Sequence, residues 1–165
     1  MNLKSLYTTF DGRINRKPFW LGLIGLVIAS IVITVVIVLP LTALSNMLGG
    51  LVGLLISLAF LYPACALGVK RLHDRGKTGT LMAVFIAPGL VYQIADLLGL
   101  ATRQVTMNGQ TFPVPTAIGS ALGVLSLIVA IWALITLGIR RGTAGPNAWG
   151  PDPLAATQTT EETTL

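Results

Sequence analysis

The chain has 165 residues, of which 53% are hydrophobic and only 10% are charged, whereas soluble domains average about 25% charged residues. This composition excludes a soluble globular protein. The net charge of +5 comes with no RNA- or DNA-binding motif, so we predict no nucleic-acid partner. A single cysteine, Cys65, excludes an internal disulfide and a cysteine-based metal site.

The start of the chain has the pattern of a short amphipathic helix. Four apolar residues follow the i, i+3, i+4, i+7 spacing of one helical face: Leu3, Leu6, Tyr7 and Phe10. Such a helix lies in a membrane interface with its apolar face buried, which predicts an N-terminal interfacial helix. The alternative interpretation is a frayed terminus.

Four apolar runs follow, each near or above the about 20 residues that a helix needs to cross a bilayer. They cover roughly residues 19–44, 47–69, 80–100 and 116–139. We therefore predict an all-α membrane protein, a four-transmembrane-helix bundle in which residues 1–153 form one integral membrane domain. Residues 154–165 are rich in Thr and Glu and are predicted to be a disordered cytoplasmic tail.

The basic residues are distributed very unevenly. Ten of the eleven Lys and Arg residues lie in the stretches 4–17, 70–77 and 140–141, and Arg103 is the exception. Because Lys and Arg concentrate in cytoplasmic loops, this pattern places both termini and the loop after the second run in the cytoplasm.

The connection between the third and fourth runs predicts a small periplasmic β-hairpin. Asn108-Gly109 is a strong signal for a two-residue hairpin turn, and β-forming residues flank it.

Small residues occur four positions apart in two of the apolar runs: Gly49, Gly53 and Ser57 in the second, and Gly119 and Gly123 in the fourth. Such spacing lets helices approach closely, either across a homodimer seam or within the bundle.

His73 is the only histidine and precedes Asp74, a pair that also occurs in metal-dependent phosphohydrolases. Such metal sites need further His and Asp ligands, and no serine lies in a hydrolase-type elbow. We predict no metal, no cofactor and no enzymatic activity. In the structural alternative, Asp74 caps a helix or pairs with an arginine, and His73 bonds a loop carbonyl.

Asp96 is the only ionisable residue inside an apolar run, and such residues are often functional. It lies about 6 Å from the outer end of its run. It is either an interfacial carboxylate that reaches water or part of a path in a small transporter or channel subunit.

Residues 140–153 contain three glycines and three prolines, which predict a series of turns that folds back onto the bundle. This stretch completes a set of three motifs. They are Phe10-x-Gly12-Arg13-x-x-Arg16-x-x-Phe19-Trp20, Lys70-Arg71-Leu72-His73-Asp74-x-Gly76-x-x-Gly79, and Gly142-Thr143-x-Gly145-Pro146-Asn147-x-x-Gly150-Pro151-Asp152-Pro153.

In this order, between four apolar runs, the motifs resemble the bacterial inner-membrane family known as domain of unknown function 805 (the YhaH/YhaI group). The chain departs from the family pattern at Thr80, where the family usually has an aromatic residue. The resemblance implies a small polytopic protein of the bacterial inner (plasma) membrane and supplies no activity, substrate or cofactor.

All three motifs lie on the predicted cytoplasmic face, which suggests a binding site. The candidate residues are Arg13, Arg16, Arg71, His73, Asp74, Arg75, Asn147 and Asp152. Guanidinium groups engage phosphate bidentately, so we predict a non-enzymatic binding or scaffold module. It would engage anionic phospholipid head groups or a membrane-protein partner, including a second copy in a homo-oligomer.

Three alternatives stay open. The same arginines could merely orient helices and cap helix ends. A transporter or channel subunit could use Asp96, and an intramembrane enzyme using His73 and Asp74 ranks last.

Overall fold

The computed structural model of the chain describes residues 2–155. Helices alternate with short connections, and one two-stranded sheet interrupts them. The helices are α1 (Leu3–Thr8), α2 (Arg16–Ile33), α3 (Leu39–Leu44), α4 (Asn46–Asp74), α5 (Leu81–Leu97) and α6 (Ala117–Leu134). A π turn (Thr34–Val38) joins α2 to α3, a second one (Ile135–Ile139) extends α6, and the strands are β1 (Thr102–Met107) and β2 (Gln110–Pro115). The predicted tail falls largely on residues 156–165, outside the described part.

Among the described residues, three helices are long and apolar enough to cross a membrane. The first is Arg16–Leu44, which combines α2, the first π turn and α3, and the second is α4, Asn46–Asp74, with 29 residues each. The third is Ala117–Ile139, which combines α6 and the second π turn and has 23 residues. α5 is apolar but has only 17 residues, so four crossings are not confirmed. It ends early because Gly99 adopts a left-handed conformation (φ +72°), and the N–H of Leu100 then bonds back to the carbonyl of Ala95.

α4 extends five residues beyond its predicted end at residue 69, so Lys70–Asp74 form its last turns and are not a loop. No glycine or proline lies between Val69 and Gly76, so the helix continues until Gly76. The φ of +67° at Gly76 ends it, and the Lys77 N–H bonds to the carbonyl of Leu72. Its 29 residues span about 43 Å, against about 30 Å for the hydrocarbon core of a bilayer. An end of α4 therefore extends beyond that core.

α4 is the central helix, and α1, α2, α3 and α5 all pack against it, while α6 packs mainly against α5. The buried apolar cluster lies near the last turns of α4. It consists of Leu6, Ile14, Phe19, Leu67, Leu72, Met82 and Leu137. Elsewhere the outward faces of α2 and α6 expose Leu, Ile and Val, as expected of surfaces that contact lipid.

The small residues pack within the chain. A Cβ at Gly49 would lie 2.6 Å from the Thr42 Cα, and one at Gly119 would lie 2.7 Å from the Ala101 carbonyl carbon. These glycines therefore allow close contacts inside the bundle, which favours bundle packing over a homodimer seam at these positions.

The predicted hairpin is confirmed as an antiparallel pair, in which Met107 pairs with Gln110 across the turn. Both turn residues have positive φ, 53° at Asn108 and 76° at Gly109, as this turn type requires. Its periplasmic location stays a prediction.

The predicted N-terminal helix is present as α1. Its Leu6 is buried against the core, whereas Leu3 is 72% exposed and free to enter a membrane interface. The interfacial position stays a prediction.

Candidate functional site: a polar cap on one end of the bundle

The three motifs meet at the end of α4. The Ile14 N–H bonds to the carbonyl of Lys70 at 3.4 Å, and the Thr143 N–H bonds to the carbonyl of Asp74 at 2.8 Å. The N-terminal loop (residues 9–15, between α1 and α2) and the segment 142–153 thus both pair with the last turn of α4. We call the assembly of residues 12–16, 70–76 and 140–153 the polar cap.

Asp74 lies at the centre of the polar cap between two arginines. Its Oδ1 accepts hydrogen bonds from Arg13 Nε at 3.2 Å and Nη2 at 3.1 Å, and its Oδ2 accepts one from Arg71 Nη1. The side chains of Arg13, Arg71 and Asp74 are 1%, 0% and 4% exposed. A buried carboxylate therefore neutralises one of two buried cations, which makes this group costly to disrupt.

The remaining donors of Arg13 bind the segment 142–153. Its Nη2 donates to the Thr143 carbonyl at 2.7 Å, and its Nη1 donates to the carbonyls of Gly145 at 2.8 Å and Gly150 at 3.3 Å. Arg13 therefore holds the C-terminal segment against the bundle mainly through backbone carbonyls, and the Thr143 hydroxyl is the one side-chain group of the segment to which it donates a hydrogen bond within residues 2–155.

Three arginines donate to the carbonyls that end the last helix. Arg71 Nε reaches the Leu137 carbonyl at 2.7 Å and Arg75 Nη1 the Thr136 carbonyl at 2.9 Å. Arg16 Nη1 lies 3.4 Å from the carbonyl of Ile139. Cations at a helix C-terminus satisfy free carbonyls and complement the helix dipole. Burial lowers the pKa of Arg75, and the positive charge of Arg140 lowers it further.

The segment 142–153 is a chain of turns, as its Gly and Pro content predicts. A Cβ at Gly142 would lie 2.6 Å from the Asp74 Cγ, so only glycine fits there. Asp152 accepts hydrogen bonds from the N–H groups of Leu154 at 2.9 Å and Gly145 at 3.0 Å, and these bonds lower its pKa.

His73 and Asn147 tie this segment to α4. The Asn147 Nδ2 donates to the carbonyl of His73 and to the Thr143 hydroxyl, both at 2.9 Å. The ring of His73 stacks on Trp149 with centroids 4.8 Å apart, and its Nδ1 lies 3.3 Å from the carbonyl oxygen of Gly12. His73 and Asp74 therefore contact different partners and do not form a pair.

No group of three or more His, Cys, Asp or Glu side chains that could hold a metal ion occurs in the part of the chain from residue 2 to 155.

Asp96 is not part of the polar cap. It lies in the last turn of α5, is exposed, and accepts a hydrogen bond from the Thr102 hydroxyl at 2.6 Å. Asp96 therefore lies at the protein surface near the start of β1, and its position at a membrane interface stays a prediction.

Sequence reasoning did not identify Lys70 as a cap residue. It is 1% exposed, and its Nζ donates to the carbonyls of Ser5 at 2.5 Å and Leu6 at 2.7 Å, which fixes the end of α1. The partners of Lys70 are distant in the sequence, so its burial has no local signal. Its place within the second motif is the only sequence feature that could have indicated a role.

A cavity of about 330 Å³ opens at the surface of the polar cap. The exposed side chains of Arg16 and Arg141 line it, together with Asn15, Gly142, Thr143 and Ala144, while Arg71 and Asp74 lie at its inner side. Within residues 2–155, the N–H groups of Gly142 and Ala144 have no hydrogen-bond acceptor. The opening therefore combines two guanidinium groups with unpaired backbone donors.

Comparison with known proteins assigns the family. A family model described as "Protein of unknown function (DUF805)" matches residues 7–151. The uncharacterized protein YiiR of Escherichia coli (strain K12) is 31% identical over 152 residues, 92% of this chain and 90% of YiiR. The inner membrane protein YhaI of the same strain is 34% identical over 85 residues, 50% of this chain and 65% of YhaI. No solved structure matches significantly. The chain therefore belongs to the DUF805 family, and its apolar helices and its similarity to YhaI place it among multi-pass proteins of the inner membrane.

Proposed function

We propose that this protein is a non-enzymatic membrane module that binds an anionic phospholipid head group in the cavity beside Arg16 and Arg141. The polar cap faces the cytoplasm in this proposal, with both chain ends on the same side and four helices crossing the membrane. Arg13 and Arg71 hold the cap together, while Arg16 and Arg141 bind the ligand.

The proposed topology is supported by charge and length. The basic residues of the cap lie at one end of the bundle, and Arg103 lies on β1, beyond the far end of α5. The 17 residues of α5 extend about 25 Å, at the lower limit for a crossing helix. Modest local thinning of the bilayer would accommodate it.

The observation that carries the proposal is the division of the arginines into two groups. The donors of Arg13 and Arg71 go mainly to Asp74 and to backbone carbonyls, so these side chains are largely occupied. Arg16 and Arg141 are exposed and line one cavity. Arg16 begins α2 and Arg141 follows the second π turn, so in the proposed topology both lie at a membrane boundary, where anionic head groups lie.

The chemistry of the cavity suits a phosphate. Guanidinium groups bind phosphate oxygens bidentately, and the positive end of the α2 dipole adds to the attraction. Asp152 also lines the cavity, so the site favours one singly charged phosphate diester over a more highly charged group.

The test is lipid retention by the variant Arg16→Gln/Arg141→Gln in mild detergent, with phosphatidylglycerol and phosphatidylcholine compared by native mass spectrometry. We expect a loss of phosphatidylglycerol affinity of at least about tenfold, since each hydrogen bond to a charged group contributes about 1.5–3 kcal/mol and two arginines are replaced. Arg103→Gln, at the other end of the bundle, is the matched control and should retain the lipid. Equal losses in both variants would refute the site.

An acidic partner protein or a second copy would use the same basic surface, and co-purification of a stoichiometric protein in place of lipid would favour that version. A path through Asp96 has no support from its surroundings, since its carboxylate is exposed and paired with Thr102. The flux through proteoliposomes should therefore be unaffected by Asp96→Asn.

A further inference from the structure

A second cavity of about 480 Å³ lies between α2, the π turn 34–38, α4 and α5. Four polar side chains, one from each of these elements, line it: Ser30, Thr34, Ser57 and Gln93. Its other walls are apolar, among them Phe60, Leu61 and Ala64. We call it the mid-helix groove.

The mid-helix groove lies at the depth of the hydrocarbon core. Ser57 is eleven positions after the start of α4 at Asn46, or about 17 Å along the helix. Ser30 is fourteen positions after the start of α2 at Arg16, or about 21 Å. Both values place the polar groups near the middle of a bilayer about 30 Å thick, where polar groups need a partner.

Gln93 is the most polar of these side chains and is only half satisfied. Its Nε2 donates to the Ser57 hydroxyl at 2.7 Å, and that hydroxyl donates to the Gly53 carbonyl at 2.8 Å. The other end of the Gln93 amide has no hydrogen-bond partner in the range 2–155. An amide oxygen left unpaired in hydrocarbon is unfavourable, so an occupant of the groove that supplies a donor would be stabilised there.

Thr34 supplies a second free group. It begins the π turn, which lies just before Pro40, a residue that cannot donate a backbone hydrogen bond. The Thr34 hydroxyl has no hydrogen-bond partner within the described ranges, and π turns inside α-helices often occur at functional sites. The groove therefore presents an acceptor from α5 and a hydroxyl from the π turn across one apolar space.

We infer that the mid-helix groove binds a lipid-soluble small molecule whose apolar body carries a hydroxyl group. The volume is within the range of small-molecule pockets, and the mainly apolar lining with a few convergent polar groups is typical of them. The free polar groups line one cavity and do not extend along a helix face, which favours a small molecule over a partner transmembrane helix. This inference is independent of the anion site at the polar cap.

The test uses three probes of equal chain length: dodecan-6-ol, dodecan-1-ol and dodecane. The purified protein in lipid nanodiscs is melted in increasing concentrations of each, and Tm is followed by tryptophan fluorescence. We expect a saturable rise in Tm with dodecan-6-ol that exceeds the rise with either other probe, because only its hydroxyl lies at the middle of an apolar chain.

In Gln93→Leu, the difference between dodecan-6-ol and dodecane should disappear. Ser126→Ala removes a hydroxyl of α6 that does not line the groove, so this control should keep the wild-type response. If Gln93→Leu does not fold, Ala64→Phe fills the groove and should abolish the response instead. Equal Tm shifts for dodecan-6-ol and dodecane in the wild type, or an unchanged difference in Gln93→Leu, would overturn the inference.

Discussion

The two ends of the bundle differ in how they treat their charged and polar residues. At the polar cap, Arg13, Arg71 and Asp74 are buried and bonded to one another or to backbone carbonyls. At the hairpin end, Asp96 and Arg103 are exposed, and most residues of both strands are accessible. The hairpin thus only connects α5 to α6, whereas the polar cap brings together three parts of the chain that are distant in sequence.

This difference indicates that the packing of the helices is specified mainly at the polar cap. In a membrane protein the apolar helices contact lipid as readily as one another, so burial of apolar surface alone specifies their packing weakly. A buried carboxylate between two buried guanidinium groups is satisfied in one arrangement only. The polar cap therefore determines how the N-terminal loop, α4 and the C-terminal segment come together.

The largest effect should come from removing the carboxylate at the centre. Asp74→Ala leaves two buried cations without an anion, which costs about 3–5 kcal/mol. We expect failure to assemble or a strongly lowered Tm, measured by tryptophan fluorescence during heating. Asp96→Ala, at the other end, should leave Tm nearly unchanged, and equal effects of the two changes would contradict the contrast between the ends.

A smaller effect should follow from Gly142→Ala. The new methyl group would overlap the Asp74 carboxylate, and overpacking of this kind costs about 1–3 kcal/mol. The segment 142–153 should detach, which limited proteolysis and the fluorescence of Trp149 would report. Gly89→Ala is the matched control, because nothing lies within 4 Å of a Cβ there, and it should remain protected.

The smallest effect should be a loosening of the segment 142–153 at low pH, when Asp152 becomes protonated. Hydrogen bonds from Leu154 and Gly145 lower the pKa of Asp152, so its carboxylate stabilises the docked segment above the ordinary carboxyl pKa of about 3.9. This contribution is lost as the pH falls from that value through the lower pKa of the folded state. Trp149 fluorescence should show a transition in this window that is absent in Asp152→Asn. An identical transition in the variant would assign it to another group.

Several features were predictable from local sequence. Four apolar runs predict four long helices, and three of these are long enough to cross a membrane, while Asn108-Gly109 predicts the hairpin. Both signals depend on neighbouring residues only. The juxtaposition of the three motifs was predictable too, because the distribution of Lys and Arg assigns all three to the same predicted side of the membrane.

Other features depend on contacts between distant residues. The continuation of α4 through Lys70–Asp74 and the burial of Lys70 require α1 and the C-terminal segment to cover these charges. An arginine is buried only where it has a partner, and the partners here are distant in the sequence. The sequence alone therefore does not distinguish the buried arginines of the cap from the exposed ones. Which arginines are buried and which stay exposed becomes apparent only when Asp74 and the backbone carbonyls are in place.

Arg13 holds the polar cap together, whereas Arg16 lies at the edge of the proposed binding cavity. Thermal unfolding of Arg13→Gln and Arg16→Gln, measured side by side in the same detergent, separates these two roles. We predict a marked fall in Tm for Arg13→Gln, because it leaves Asp74 and three carbonyls short of donors, and little change for Arg16→Gln. Equal Tm values for the two variants, or a larger fall for Arg16→Gln, would contradict the account.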